Sequence, residues 1–431
     1  MHLRRFAWFF VIALVAAAGV WAAVLRFTTP VPAAAPAQRF EAPVAEGGER
    51  PHAVDYQRLD ARLQQLMADP AMVGLAVGVV EDGQIRFVKG YGTTFAGGHE
   101  PVTPDTVFRW ASLSKGVAAD MVASLANDGR LSLDDPVGRW ASSLRLPGGN
   151  ENVATVANLL SHTLGLFGHA QDSKLEDGMD PHYLRGTLAT LHNICVPGTC
   201  HAYQNVAYDA ASEIVERVTG RPYGQVVQER FFAPLGMSNA SSGRAALMAS
   251  ATGWARPHVG GHPLHPEEVS DAYYRVPAAG GINGSIKDLA IWMIAQMGLA
   301  PDVLPPAVLN AVQTPRIRTP GENFRRRKFR ERTTWTEYGL GWRIMDYAGH
   351  RVIGHHGGVR GYRSMIMFDP ELHSGVVVLW NGGSPKPNGI EYEVMDMIYR
   401  LPFHDWLELD TPDGGPGEDN GNAVHAENEG G

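Results

Sequence analysis

Apolar positions along this chain change their period twice, and the changes outline a fold. Residues 73–80 are an almost unbroken apolar run, and residues 84–89 alternate apolar with polar. Asp82-Gly83 lies between them, so the spacing predicts two strands joined in a hairpin. Residues 117–127, 206–218 and 286–297 instead repeat apolar side chains every three or four positions and predict helices. Strand-like runs return only near the other end, at 341–345, 351–355, 364–368 and 375–379. Strand signals at both ends with helices between them predict an α/β (α+β) domain. One antiparallel sheet is built from both chain ends and flanked by helices, and a mainly helical region is inserted in it. No internal repeat is present.

The flanks read differently. Residues 6–25 carry no charge and follow Arg4 and Arg5; they are about long enough to span a bilayer as a helix, with the arginines left inside. Residues 1–27 are therefore expected to be a retained membrane anchor, the alternative being a secretory signal cut near Ala35-Pro36-Ala37. The anchor reading makes the chain a single-pass protein of the cell membrane with a periplasmic domain; the signal reading leaves the domain in the periplasm. Residues 28–54, rich in Pro and Ala, read as a linker, 55–408 as the folded domain, and 409–431 as a disordered acidic tail.

Composition adds limits. With 431 residues, 44% hydrophobic and 19% charged, the chain suits one large globular unit or two smaller ones. A net charge of -8 argues against nucleic acid as a partner; six acidic residues lie in the tail, so the folded part is close to neutral. The only two cysteines, Cys195 and Cys200, flank Pro197-Gly198. In an oxidising compartment they are expected to form a disulfide that pins the approach to Tyr203; free thiols or a metal pair with His201 are the alternatives. No metal or cofactor is expected.

The candidate chemistry starts at Ser112-Leu113-Ser114-Lys115. If Ser112 opens a helix, Lys115 lies one turn later on the same face and can share a proton with its hydroxyl. Of six lysines only Lys115 has a serine three residues before it, and of thirteen tyrosines only Tyr203, in Tyr203-Gln204-Asn205, has an asparagine two residues after it. A third element is the strand-like run ending in His355-His356-Gly357-Gly358. A serine needs a base and an oxyanion site to act as a nucleophile, and its own N–H at a helix start supplies part of the latter. Lys115 and Tyr203 are the candidate bases. Ionising a phenol near neutral pH takes about 4 kcal/mol, which an ammonium at ~4 Å supplies at an effective dielectric of ~20. A lysine-assisted tyrosinate and a neutral lysine with a relaying tyrosine therefore both stand.

Together and in order, these motifs resemble the penicillin-recognising serine hydrolases, namely class C β-lactamases, DD-peptidases of the same fold and esterase relatives. Leu159-Leu160-Ser161-His162-Thr163, Pro234-Leu235-Gly236-Met237 and Tyr338-Gly339-Leu340-Gly341-Trp342 extend the likeness from about residue 55 to about residue 402. The resemblance implies an acyl-enzyme at Ser112 acting on an amide or ester of a small molecule or peptide. Asn205 would then bond Lys115 or a substrate carbonyl, unless it caps a helix before Val206. His355 would line the cleft opposite Ser112 and sense substrate charge, with His356 in the alternative register. Gly357 and Gly358 would let substrate approach, and the Gly358 N–H would be the second oxyanion donor. Class C enzymes carry lysine where His355 stands, which lowers the expectation of efficient β-lactam turnover.

Arg360 is a further candidate for substrate charge. The basic run at 325–332 reads as a solvated insertion or as a contact for anionic polymers and lipids. A non-catalytic penicillin-binding receptor or envelope scaffold is the alternative function. The oligomeric state is open.

Overall fold

The computed structural model describes residues 40–43, 52–260, 264–325 and 327–410. The apolar run and its alternating partner fold as strands β1 (Gly74–Glu81) and β2 (Gln84–Gly92). Between them Asp82 and Gly83 take φ of 52° and 74°, the left-handed pair that a tight hairpin requires. The other end supplies β3 (Ile317–Arg318), β4 (Thr336–Tyr338), β5 (Arg343–Tyr347), β6 (His350–Val359), β7 (Tyr362–Asp369) and β8 (Ser374–Trp380). All eight form one sheet in the order β2-β1-β8-β7-β6-β5-β4-β3, antiparallel throughout. The hairpin from the N-terminal part therefore closes on the last strand, with Val77 opposite Val378.

Side-chain alternation divides the core in two. Leu75, Val77, Val79, Met365, Met367, Val376 and Val378 face helices α1 (Tyr56–Leu66) and, near the end of the domain, Ile390–Ile398. Ala76, Ile353, Ile366, Phe368, Val377 and Leu379 face the inserted helical region. Both faces are covered, which is why β1 reads as continuous rather than alternating hydrophobicity. The inserted region is organised around α2 (Ser114–Asn127), packed by α3 (Ala210–Thr219), with α4 (Ile286–Ile294) lying against β1 and β8, and α5 (Pro306–Gln313) completing the layer. Residues 114–125 of α2 are all buried, so the helix that carries the candidate chemistry is enclosed on every side.

Several boundaries differ from the expectation. Helix α3 starts at Ala210 rather than 206, because residues 205–209 make turns, with Asp209 N donating to Asn205 O at 3.1 Å. β6 runs through Gly357 and Gly358 instead of ending before them. Within the expected linker, residues 40–43 lie on the domain: Phe40 N donates to Pro234 O (2.8 Å) and Ile85 N to Pro43 O (2.9 Å), while Phe40 and Ala42 pack on the apolar core. Asp410, expected in the tail, accepts a hydrogen bond from Arg62 at 3.0 Å.

The expected anchor at 1–27, and most of the linker and tail, lie outside the described residues. Among the described residues no helix is long and apolar enough to cross a membrane. The basic run is partly folded in: Lys328 pairs with Glu408 (2.6 Å), Arg332 with Asp396 (2.7 Å), and Phe329 stacks on Tyr392.

Candidate active site

The turn that carries Ser112 is built under strain. Phe108–Arg109 pairs with Ile282–Gly284, Trp110 N donates to Ile282 O (2.9 Å), and a single 3₁₀ turn, Ala111–Leu113, then runs straight into α2. Ala111 has φ +48°, a left-handed conformation that costs a residue with a Cβ and that the surroundings must hold. They do so from two sides. Ser364 Oγ on β7 donates to Trp110 O (2.7 Å); Ser114 Oγ donates to Ala111 O (2.7 Å) and accepts from Ile282 N (3.0 Å). Ser114 is thus a brace, whereas Ser112 lines a cavity of about 600 Å³ together with Asn205, Tyr273, Gly358, Arg360 and Arg363.

Lys115 has no exposed surface, and its amine meets three oxygens: Asn205 Oδ1 at 2.6 Å, Ala279 O at 3.0 Å and Ser112 Oγ at 3.3 Å. An ammonium would spend all three protons on them. A neutral amine has two, which the shorter bonds to Asn205 and Ala279 use, leaving its lone pair for the Ser112 hydroxyl. Burial lowers its pKa to about 7; the Asp172 carboxylate opposes this and Arg343 reinforces it. The turn that presents Ala279 O is itself held, because Asp209 accepts from Ala278 N (2.9 Å) while paired with buried Arg185 at 2.8 Å.

Tyr203 lies beside this amine, its ring centre 4.6 Å from Nζ. Its hydroxyl is buried and has no hydrogen-bond partner of good geometry among the described residues. Burial pushes the phenol well above its usual pKa, and the nearby Ser112 hydroxyl, which favours ionisation, does not offset it. Of the two bases considered from sequence, burial weighs against the tyrosinate. Behind Tyr203 lies His162 at φ +57°, ring centre 4.2 Å away; its Nδ1 accepts from Gln204 N at 3.1 Å, and burial holds it neutral.

The disulfide Cys195–Cys200 is formed, and its loop is laced to the same turn by Gly198 N to Thr163 O (2.7 Å) and Ala202 N to His162 O (2.9 Å). The segment leading into Tyr203 is therefore pinned at both sides.

The structure brings Ser112, Lys115, Tyr203 and Asn205 together, and Asn205 is no cap of α3. His355 stands elsewhere than expected. It points to the Tyr203 side of the sheet but is buried, its Nε2 bonded to Tyr338 Oη (3.0 Å) and its Nδ1 to His356 O (2.7 Å), and it does not line the cavity. Burial holds it well below the usual histidine pKa, so it offers substrate no charge. His356 faces the opposite side and pairs with Glu391 at 2.7 Å. Gly357 approaches the Ser112 turn, Gly358 lines the cavity, and Arg360 is held by Glu267 at 2.6 and 2.9 Å. Sequence reasoning missed Asp172 and Arg343, which no spacing marks, and assigned no role to His162 although its motif had been noted.

A sequence model of the Beta-lactamase family matches residues 59–395. The chain belongs to the beta-lactamase family. Three relatives are a hydrolase, an esterase and a peptidase by name. "Unguisins hydrolase ungD'" of Aspergillus campestris (strain IBT 28561) is 28% identical over 319 residues, 72% of this chain and 58% of that protein. Esterase EstB of Burkholderia gladioli is 31% identical over 246 residues, 53% and 61% of the two chains. The D-alanyl-D-alanine-carboxypeptidase/endopeptidase AmpH of Escherichia coli (strain K12) is 31% identical over 174 residues, 38% and 44%. The chain thus spans less than two thirds of the length of each. The octameric penicillin-binding protein homologue from Pyrococcus abyssi shares the beta-lactamase fold, with TM-score 0.72 at 24% identity over 81% of this chain and 78% of that one.

Proposed function

We propose that this chain is an exported serine hydrolase that cleaves an ester or amide through an acyl-enzyme on Ser112. The observation that carries the reading is the buried Lys115 amine, held near neutrality and 3.3 Å from Ser112 Oγ. Neutral Lys115 takes the Ser112 proton as Oγ bonds to the substrate carbonyl carbon. The resulting oxyanion is received by the N–H groups of Ser112 and Gly358. Tyr203, a protonated phenol beside both groups, passes the proton from Lys115 to the leaving oxygen or nitrogen as its bond to the acyl carbon breaks. Water then repeats the sequence to release the acid. An esterase and a D-alanyl peptidase among the relatives bracket the substrate class.

A serine-reactive phosphonate is expected to label the wild type and Ser114→Ala but not Ser112→Ala, read by intact mass. Ser114→Ala should label more slowly, because it loses the brace on Ala111 and Ile282. Labelling of Ser112→Ala at the wild-type rate overturns the mechanism.

Export is supported by the disulfide, which persists in oxidising compartments, and by the uncharged stretch at 6–25. Full-length protein is expected to sediment with membranes, and protein lacking the residues before Asp55 to remain in the supernatant. Equal partition of the two forms removes the membrane half of the reading.

A further inference from the structure

Asn205 is held from both ends. Its Oδ1 accepts from Lys115 Nζ at 2.6 Å, and its Nδ2 donates to Asp172 Oδ2 at 2.7 Å. A carboxylate only accepts, so Asp172 forces the amide nitrogen toward itself and the amide oxygen toward the amine. Asp172 is buried, its Oδ1 has no hydrogen-bond partner among the described residues, and the same Oδ2 meets His169 Nδ1 at 2.9 Å.

The other groups facing Lys115 are balanced or neutral. Asp209 is paired with Arg185, and Arg343 with Glu322 at 2.8 Å. His162 and His355 are kept neutral by burial, and the Tyr203 and Tyr208 phenols are raised by it. Asp172 has no guanidinium or lysine against it among the described residues; its one ion-pair partner there is His169, charged only when protonated. A buried carboxylate without a counter-ion is costly, and the group at the far end of its hydrogen-bond chain that can take up positive charge is Lys115.

We propose that Asp172 is a positioning residue that, through Asn205, orients the Lys115 amine and sets its basicity. This rests on the reading of Lys115 as base. Its negative charge favours the ammonium, so removing it favours the neutral amine at lower pH.

The chain has six lysines, so the Nζ resonances of protein labelled with ¹⁵N-lysine can be followed individually through a pH titration, Lys115 being identified by its loss in Lys115→Met. Asp172→Asn keeps the shape and the acceptor for Asn205. It is expected to lower the Lys115 midpoint by roughly one pH unit, as removal of a nearby buried charge does. The acid limb of the phosphonate labelling rate should move with it.

His169→Arg, which sets a fixed cation on Asp172 from the more open side and serves should Asp172→Asn lose its fold, is expected to move the midpoint in the same direction. A midpoint unchanged or raised in the folded variants overturns the proposal. The titration reads Lys115 directly, so it stands even if Ser112 is not the nucleophile, whereas unlabelled wild type would overturn the hydrolase reading alone.

Discussion

Lys115→Met is expected to slow acylation of Ser112 by roughly 10²–10⁴-fold, the usual worth of a positioned general base. It should also abolish the rise of the rate with pH. The sign follows from the proton count. The reactive form is the neutral amine, present above a midpoint of about 7, so the wild-type rate climbs through neutrality and levels off above it. Without the amine that limb has no source. Methionine has nearly the same volume, so the packing around α2 survives and the loss reads on chemistry.

Tyr203→Phe provides the complementary test. The hydroxyl has no good hydrogen-bond partner among the described residues, so its removal should leave the melting temperature unchanged or slightly raised while acylation falls roughly 100-fold or more. If the two residues pass one proton between them, the double variant loses little more than the worse single. Losses that multiply instead would assign Tyr203 a role separate from the proton path. The measurement is the rate of phosphonate labelling from about pH 5.5 to 9 in all four proteins, with thermal melts as the control.

The readable parts of this molecule are those whose geometry is local. The 82–83 turn, the i,i+3 relation of Ser112 to Lys115 and the two-residue spacing of Tyr203 and Asn205 are short-range, and each lands where the pattern puts it. The parity of β6 was equally legible: His355 and His356 must face opposite sides, and they do. Depth was not. Whether a strand residue reaches a cleft or stops behind another side chain depends on what lies in front, and here Tyr338 and Tyr203 cover His355. Strands β3 and β4, two and three residues long, are too short to carry a period. Asp172 and Arg343 belong to segments far from Lys115 in sequence and meet it only through tertiary packing. A pair of glycines inside β6 reads as a stop in any single sequence, because glycine punctuates strands far more often than it serves a close contact within them.

That contact makes Gly357→Ala the most informative substitution outside the proton path. A Cβ there would stand 2.2 Å from Ser364 Oγ, 2.5 Å from Trp110 O and 3.0 Å from Ser112 N. The serine hydroxyl could rotate away, at the loss of its bond to Trp110 O; the two backbone atoms cannot. β6 would therefore push back the turn that aims Ser112, a turn already strained at Ala111 and tied to the sheet by Ser364. A displacement of about 1 Å in such a group costs on the order of 10² in rate. Gly357→Ala is accordingly expected to lose 100-fold or more in kcat/KM for whichever ester proves to be turned over. At Gly358 the nearest atoms an added Cβ would meet belong to the Arg363 side chain, at 3.4–3.5 Å, an ordinary contact. Gly358→Ala should therefore cost less than about 10-fold, most of it in KM, since the residue borders the cavity. Equal losses at the two positions would mean that glycine is required there for strand flexibility rather than for the approach of β6 to Ser112.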